Sequence, residues 1–168
     1  MKAQAGTGYF KTVWTTDQVK PTMAAITLSK KSKGVAWGAV YFQYFDELDK
    51  ITFAETNLKL NKEIYRVEVT EQGEELEYVH MKDMRAAGFE PIDVLSRYRY
   101  QDGLGYYQST KDAATHFFFD YIRKGTYVFE YDLRVQYKGE FSNGIATIQC
   151  MYAPEFTSHS NGMRVIVK

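Results

Sequence analysis

Apolar and polar positions alternate most regularly near the C-terminal end of the chain. Tyr127, Phe129, Tyr131, Leu133, Val135 and Tyr137 occupy every second position, with Thr126, Val128, Glu130, Asp132, Arg134 and Gln136 between them. A period of two places one set on one face of an extended backbone, so residues 126–137 predict one long strand with a buried side. Residues 117–122 (Phe-Phe-Phe-Asp-Tyr-Ile) read as a second strand. Arg123-Lys124-Gly125 has the length and the glycine of a hairpin turn, so the two are expected to pair antiparallel. Ser142-Asn143-Gly144 is a turn signal. It leads into residues 145–151, where Ala146, Ile148, Cys150 and then Tyr152 are expected to face inward. Ser160-Asn161-Gly162 introduces a closing strand at 163–167.

In the first half, residues 24–28, 35–45, 58–60 and 65–69 are β-rich runs separated by Lys/Ser/Gly or Asp/Glu/Asn clusters. The inward register changes between Leu60 and Tyr65, which predicts a bulge. Helical spacing is confined to single turns at 46–50 and 109–115. Residues 94–108, which include Asp102-Gly103-Leu104-Gly105, lack steady alternation and read as a long surface loop. Many short strands with almost no helix predict an all-β fold, an antiparallel β-sandwich with little helix, over residues 1–168 as a single domain.

Composition narrows the functional classes. An aromatic content of 16%, with 14 Tyr and 11 Phe, suits pleated, half-buried surfaces. Lys and Arg total 21 against 21 Asp and Glu, so no net charge marks the chain for nucleic acid or an anionic membrane. The single cysteine, Cys150, cannot close an internal disulfide. No apolar run reaches the roughly 18 residues of a membrane span, and the first residues are not those of a signal peptide. Any export signal is expected upstream, with the chain a piece of a longer protein.

No catalytic constellation stands out. His80, His116 and His159 are far apart in sequence and show no zinc-site spacing. Ser158-His159-Ser160 lacks the strand–turn–helix context of a hydrolase nucleophile. The acidic clusters at 46–49 and 71–77 lack calcium-loop spacing, and Gly103-x-Gly105 has no P-loop lysine. The expectation is a non-enzyme without cofactor or metal. Two rival readings remain: Tyr98, Tyr100, Tyr106 and Tyr107 stacking on sugar rings in a carbohydrate-binding module, and a hydrolase using carboxylates such as Asp83 and Glu90.

Four motifs occur in order: Asp83-Met84-Arg85-Ala86-Ala87-Gly88-Phe89-Glu90-Pro91, Thr110-Lys111-Asp112, Lys124-Gly125-Thr126-Tyr127 and Met151-Tyr152-Ala153-Pro154-Glu155. Together they resemble the C-terminal, receptor-binding-like domain of bacterial α2-macroglobulin-like proteins, relatives of the protease-trapping macroglobulins. The resemblance covers residues 78–168 well and the first half weakly. Asp83, Gly88, Phe89, Glu90, Pro91, Asp112, Gly125 and Pro154 are the positions that carry it. Ala86 departs from the family's commoner proline, and a strand-rich stretch that relatives carry before Tyr78 has no counterpart here. The resemblance implies a β-sandwich packed against a helical thioester domain elsewhere in a large extracytoplasmic polypeptide, in the periplasm or at the cell surface. Proteases would be the targets. The family's thioester motif, Cys-x-Glu-Gln, does not occur in this chain. Met151 and Tyr152 match a Met-Tyr pair that, in thioester-bearing relatives, looks like a lid shielding the thioester from water; packing at a strand end is the alternative.

Overall fold

The computed structural model describes residues 11–31, 33–36, 38, 40, 41, 43–63, 66–71, 73 and 75–168. The chain divides into two units, Met1–Gln43 and Tyr44–Lys168. The first has two 3₁₀ turns, Thr16–Gln18 and Pro21–Ala24, and no strand or buried residue among those described. The strands expected at 24–28 and 35–45 are therefore absent from the described residues; Trp37, Ala39 and Phe42 lie outside them. The reason is context: Ile26, Leu28, Val35, Val40 and Tyr41 stand in solvent, and β propensity without a partner strand and a buried face does not make a sheet.

The second unit is all-β. Its strands are β1 (Leu58–Glu63), β2 (Arg66–Glu71), β3 (Leu76–Met84), β4 (Phe89–Pro91), β5 (Arg97–Gln101), β6 (Leu104–Thr110), β7 (Ala114–Ile122), β8 (Gly125–Glu130), β9 (Leu133–Val135), β10 (Gly139–Asn143), β11 (Ala146–Cys150), β12 (Thr157–His159) and β13 (Met163–Val167). A six-stranded sheet in the order β12-β11-β3-β7-β6-β5 and a three-stranded sheet β1-β2-β8 contribute their inner faces to one core, and two-stranded sheets β10-β13 and β4-β9 frame a second. All pairings are antiparallel, as the β-sandwich expectation required.

Alternation explains the main core. Leu58 and Leu60, Val67 and Val69, Val79 and Met81, Phe117 and Phe119, and Ala146, Ile148 and Cys150 are all buried at every second position of their strands. Tyr106 and Phe129 meet at the centre, with ring centroids 5.2 Å apart and nearly perpendicular planes, and Phe117 and Phe119 close around them. Edge-to-face aromatic pairs of this kind add to the burial energy. The smaller core holds Ala86, Phe89 and Val165 with Phe141 beside them. Gly88 belongs here for space, since a Cβ on it would lie 2.6 Å from the Phe141 ring.

Side chains join the two main sheets at both margins. Gln101 Nε2 donates to the Glu130 carbonyl (3.3 Å), and Gln101 Oε1 and Asp102 Oδ2 accept from the amides of Glu130 (3.2 Å) and Val128 (2.8 Å). At the other margin the Thr56 amide donates to Ser158 Oγ (3.0 Å), whose hydroxyl donates to the Leu58 carbonyl.

Several expectations are corrected. The strand at 126–137 is broken at Tyr131-Asp132: β8 pairs with β2, whereas β9 leaves to pair with β4. The Arg123-Lys124-Gly125 link is no hairpin, because β7 lies in the six-stranded sheet and β8 in the facing one. Gly125, at φ +155°, adopts a backbone that other residues rarely reach as the chain crosses between sheets. The register change between Leu60 and Tyr65 is the reversal of a hairpin, since Glu63 pairs with Arg66. Residues 109–115 make no helical turn but end β6, turn at 111–113 and begin β7, while 3₁₀ turn Leu48–Lys50 falls within the expected 46–50. The expected loop at 94–108 is the β5–β6 hairpin, whose turn residues Asp102 (φ +50°) and Gly103 (φ +78°) have the positive φ pair of a type I′ turn.

Candidate functional site

The connection from β11 to β12 carries Met151 and Tyr152. β11 ends at Cys150, and the chain folds outward through local bonds: Phe156 N donates to Ala153 O (2.9 Å), Thr157 Oγ1 to Pro154 O (2.7 Å) and Cys150 N to Phe156 O (3.1 Å). Met151 N donates to Tyr78 O at 2.9 Å. The alternation that buries Ala146, Ile148 and Cys150 does not extend to Tyr152. Tyr152 is 80% exposed and Met151 60% exposed, so neither packs into the core.

Tyr78 supports this knuckle from the neighbouring strand. It is half exposed, and its ring meets Tyr152 edge-on at 5.2 Å and 86°. Its backbone is left-handed, at φ +53°, which a side-chain-bearing residue adopts at a cost of about 1–3 kcal/mol. Pairing of β3 with β7 skips it, running from Glu77↔Tyr121 to Val79↔Phe119. The same residue thus gives its carbonyl to Met151 and its ring to Tyr152.

The first motif has a structural explanation. Asp83, 2% exposed, points inward in the register of Val79 and Met81. Lys62 Nζ reaches it at 2.5 Å and also donates to the carbonyls of Met84 (2.5 Å) and Gly144 (2.7 Å), while the Tyr131 hydroxyl donates to its other oxygen. Burial pushes the Lys62 ammonium below the ordinary lysine range, with Asp83 pulling it back. Burial and then Asp83 push the Tyr131 phenol well above its ordinary value. Arg85 clamps the β6–β7 turn: Nε donates to Asp112 O (3.2 Å), Nη1 to Thr115 Oγ1 (3.0 Å) and Nη2 to Lys111 O. Asp112 therefore contributes a carbonyl, its side chain being exposed. Lys62 was not singled out from sequence, Arg85 was named only as part of the first motif, and Tyr131 only as a buried-face position. For Lys62 the signal was present, as a charge at the inward position that follows Leu58 and Leu60.

The hydrolase pair is not assembled. Asp83 is engaged inside the six-stranded sheet, whereas Glu90 lies in the β4–β9 sheet and accepts from Gln136 Nε2 at 2.7 Å. Pro91 follows it in β4, and Pro154 is exposed beside Ala153. Of the four tyrosines considered for sugar stacking, Tyr106 is core, Tyr107 is half-buried against Tyr98, and Tyr98 and Tyr100 are exposed. The structure also unites two histidines separated in sequence. His80 Nε2 and His116 Nδ1 lie 2.9 Å apart, and burial lowers both from the ordinary imidazole value. No group of three or more metal-ligating side chains occurs among the described residues.

The model of the bacterial alpha-2-macroglobulin MG10 domain matches residues 43–155, about two thirds of the chain. This chain belongs to that family. The matched span runs from the start of the second unit through the Met151–Pro154 knuckle, so the exposed pair lies within the MG10 fold. Separately, a stretch of 85 residues, 51% of the chain, is 29% identical to circularly permutated Ras protein 2 of Dictyostelium discoideum, where it covers 2% of that protein's length. The chain spans a very small part of this relative, which is similar in that segment only. No helix among the described residues of the MG10 chain is long and apolar enough to cross a membrane.

Proposed function

We propose that this MG10 chain is a non-catalytic interaction domain, placed toward the C-terminus of a bacterial α2-macroglobulin-like protease inhibitor that works outside the cytoplasm. Met151 and Tyr152 dock on a helical thioester-type domain of the same polypeptide and shield its reactive bond from water. Release of that contact couples to the shape change that traps a protease. The observation that carries the reading is the exposed Met151–Tyr152 pair, braced by a tyrosine whose backbone is held in an unfavourable conformation. An exposed apolar pair on a pinned turn loses little freedom on docking, and rigid aromatic anchors supply much of the energy of interfaces. Cys150, the one thiol, is buried and donates to the Glu77 carbonyl at 3.2 Å, so the covalent chemistry belongs to another domain.

The test is binding of this chain to the parent's thioester domain by titration calorimetry. Met151→Ala and Tyr152→Ala are each expected to weaken it roughly tenfold or more, the effect of losing an interface anchor. Affinity unchanged by both would overturn the shielding role.

A further inference from the structure

Among the described residues, the β5 edge of the six-stranded sheet is left open. Ala54 exchanges hydrogen bonds with His159 along β12 (3.1 and 2.9 Å), Ser158 and Thr56 cover β1, and Gln101 and Asp102 cover β8. Strand β5, at the far end of the six-stranded sheet from β12, has a neighbour only in β6 among the described residues. Its register is uninterrupted from Arg97↔Gln108 to Gln101↔Leu104. The two-residue turn makes Gln101–Leu104 a hydrogen-bonded pair, so Arg99 and Arg97 also bond to β6, while the amides and carbonyls of Tyr98 and Tyr100 point away from the sheet. No other described residue bonds to them. Tyr98 and Tyr100 are 78% and 76% exposed. Proline, lysine and a bulge, which blunt many strand edges, are missing from Arg-Tyr-Arg-Tyr-Gln; the inward charges of Arg97 and Arg99 are the device present, and they disfavour any added strand that does not bring acidic partners.

Charge on the inner side of β5 is unbalanced. Arg97 and Arg99 both reach the same oxygen of Asp93, Arg97 at 2.5 Å, so two guanidinium groups share one carboxylate. Arg99 Nε is buried without a hydrogen-bond partner, as is Oε1 of the neighbouring Gln108. Both residues line an open groove of about 1130 Å³, whose lining also carries Lys62, Glu63, Asp93, Glu130 and Asp132. A strand added beside β5 would place alternate side chains directly opposite Arg97 and Arg99.

We propose that β5 is a strand-addition site for an extended polypeptide segment with acidic side chains alternating with apolar ones. Main-chain bonds form at Tyr98 and Tyr100, acidic side chains face Arg97 and Arg99, and apolar side chains lie between the two tyrosines on the outer face. The site is at the opposite end of the sheet from the Met151–Tyr152 knuckle and stands independently of the shielding role.

Fluorescence anisotropy with a labelled seven-residue peptide alternating valine and glutamate tests this on the intact chain. Saturable binding below about 1 mM is expected, at least tenfold weaker for the same peptide with lysine in place of glutamate. Arg97→Glu with Arg99→Glu should reverse that preference. Tyr100→Pro removes an outward amide while sparing the β6 ladder and should weaken binding tenfold or more. A glutamate peptide N-methylated at alternate amides should fail on the unaltered protein, which tests the main-chain bonds without any variant. No saturable binding, or binding indifferent to both the proline and the N-methyl groups, would overturn the proposal.

Discussion

Replacing Asp83 by alanine isolates the buried charge network. Lys62 and Asp83 are each 2% exposed at the side chain and 2.5 Å apart, and removal of the carboxylate leaves the ammonium with the Met84 and Gly144 carbonyls as its partners. Those carbonyls are dipoles and do not neutralise a charge. Breaking one side of a buried pair typically costs about 3–5 kcal/mol, whereas replacing the whole set by apolar groups of similar volume is often neutral or better. Urea unfolding followed by circular dichroism should therefore show Asp83→Ala losing about 3–5 kcal/mol. The combination Lys62→Met, Asp83→Leu and Tyr131→Phe should recover most of that loss. A pH signature accompanies the single variant. Burial already lowers Lys62, and without Asp83 nothing raises it. The folded chain then binds fewer protons than the unfolded one, so stability of Asp83→Ala should rise as pH climbs toward the unfolded lysine value of about 10.5. A loss under about 1 kcal/mol, or a triple variant no more stable than the single one, would refute the reasoning.

Phe129→Ala removes the ring on which Tyr106, Phe117 and Phe119 converge and should cost about 3–5 kcal/mol by the same unfolding assay. His80 and His116 are both held below the ordinary imidazole value by burial first, with His116 and Lys82 adding to the effect on His80 and Lys82, Lys111 and Arg85 on His116. The unfolded chain therefore takes up protons before the folded one, so the melting temperature should fall as pH drops from about 7 through the unfolded value of about 6.5. His80→Gln with His116→Gln should flatten that slope.

The core was readable wherever one face of a strand is wholly apolar, as in β7 and β11. It was misread where side-chain identity says nothing about direction in space. Glycine after Arg123-Lys124 fits a hairpin and an arch between sheets equally well, and only the facing sheet distinguishes them. The β5–β6 hairpin was missed because arginine alternates with tyrosine, so neither side looks like a core face, although Asp102-Gly103 carried the turn signal. The Met151–Tyr152 knuckle was legible through family resemblance; its exposure was not, because alternation continued on paper to Tyr152. His80 and His116 meet through the pairing of β3 with β7, and Lys62 and Asp83 meet across the two facing sheets; a linear reading supplies neither.

The Thr56–Leu58 seam to Ser158 joins points about a hundred residues apart in the chain. During vectorial synthesis the ribosome has nearly finished this sequence before that closure can form, so β1 waits with an uncovered margin. High contact order of this sort slows folding, and the nascent chain is most open to aggregation, or to a chaperone, until Ser158 emerges.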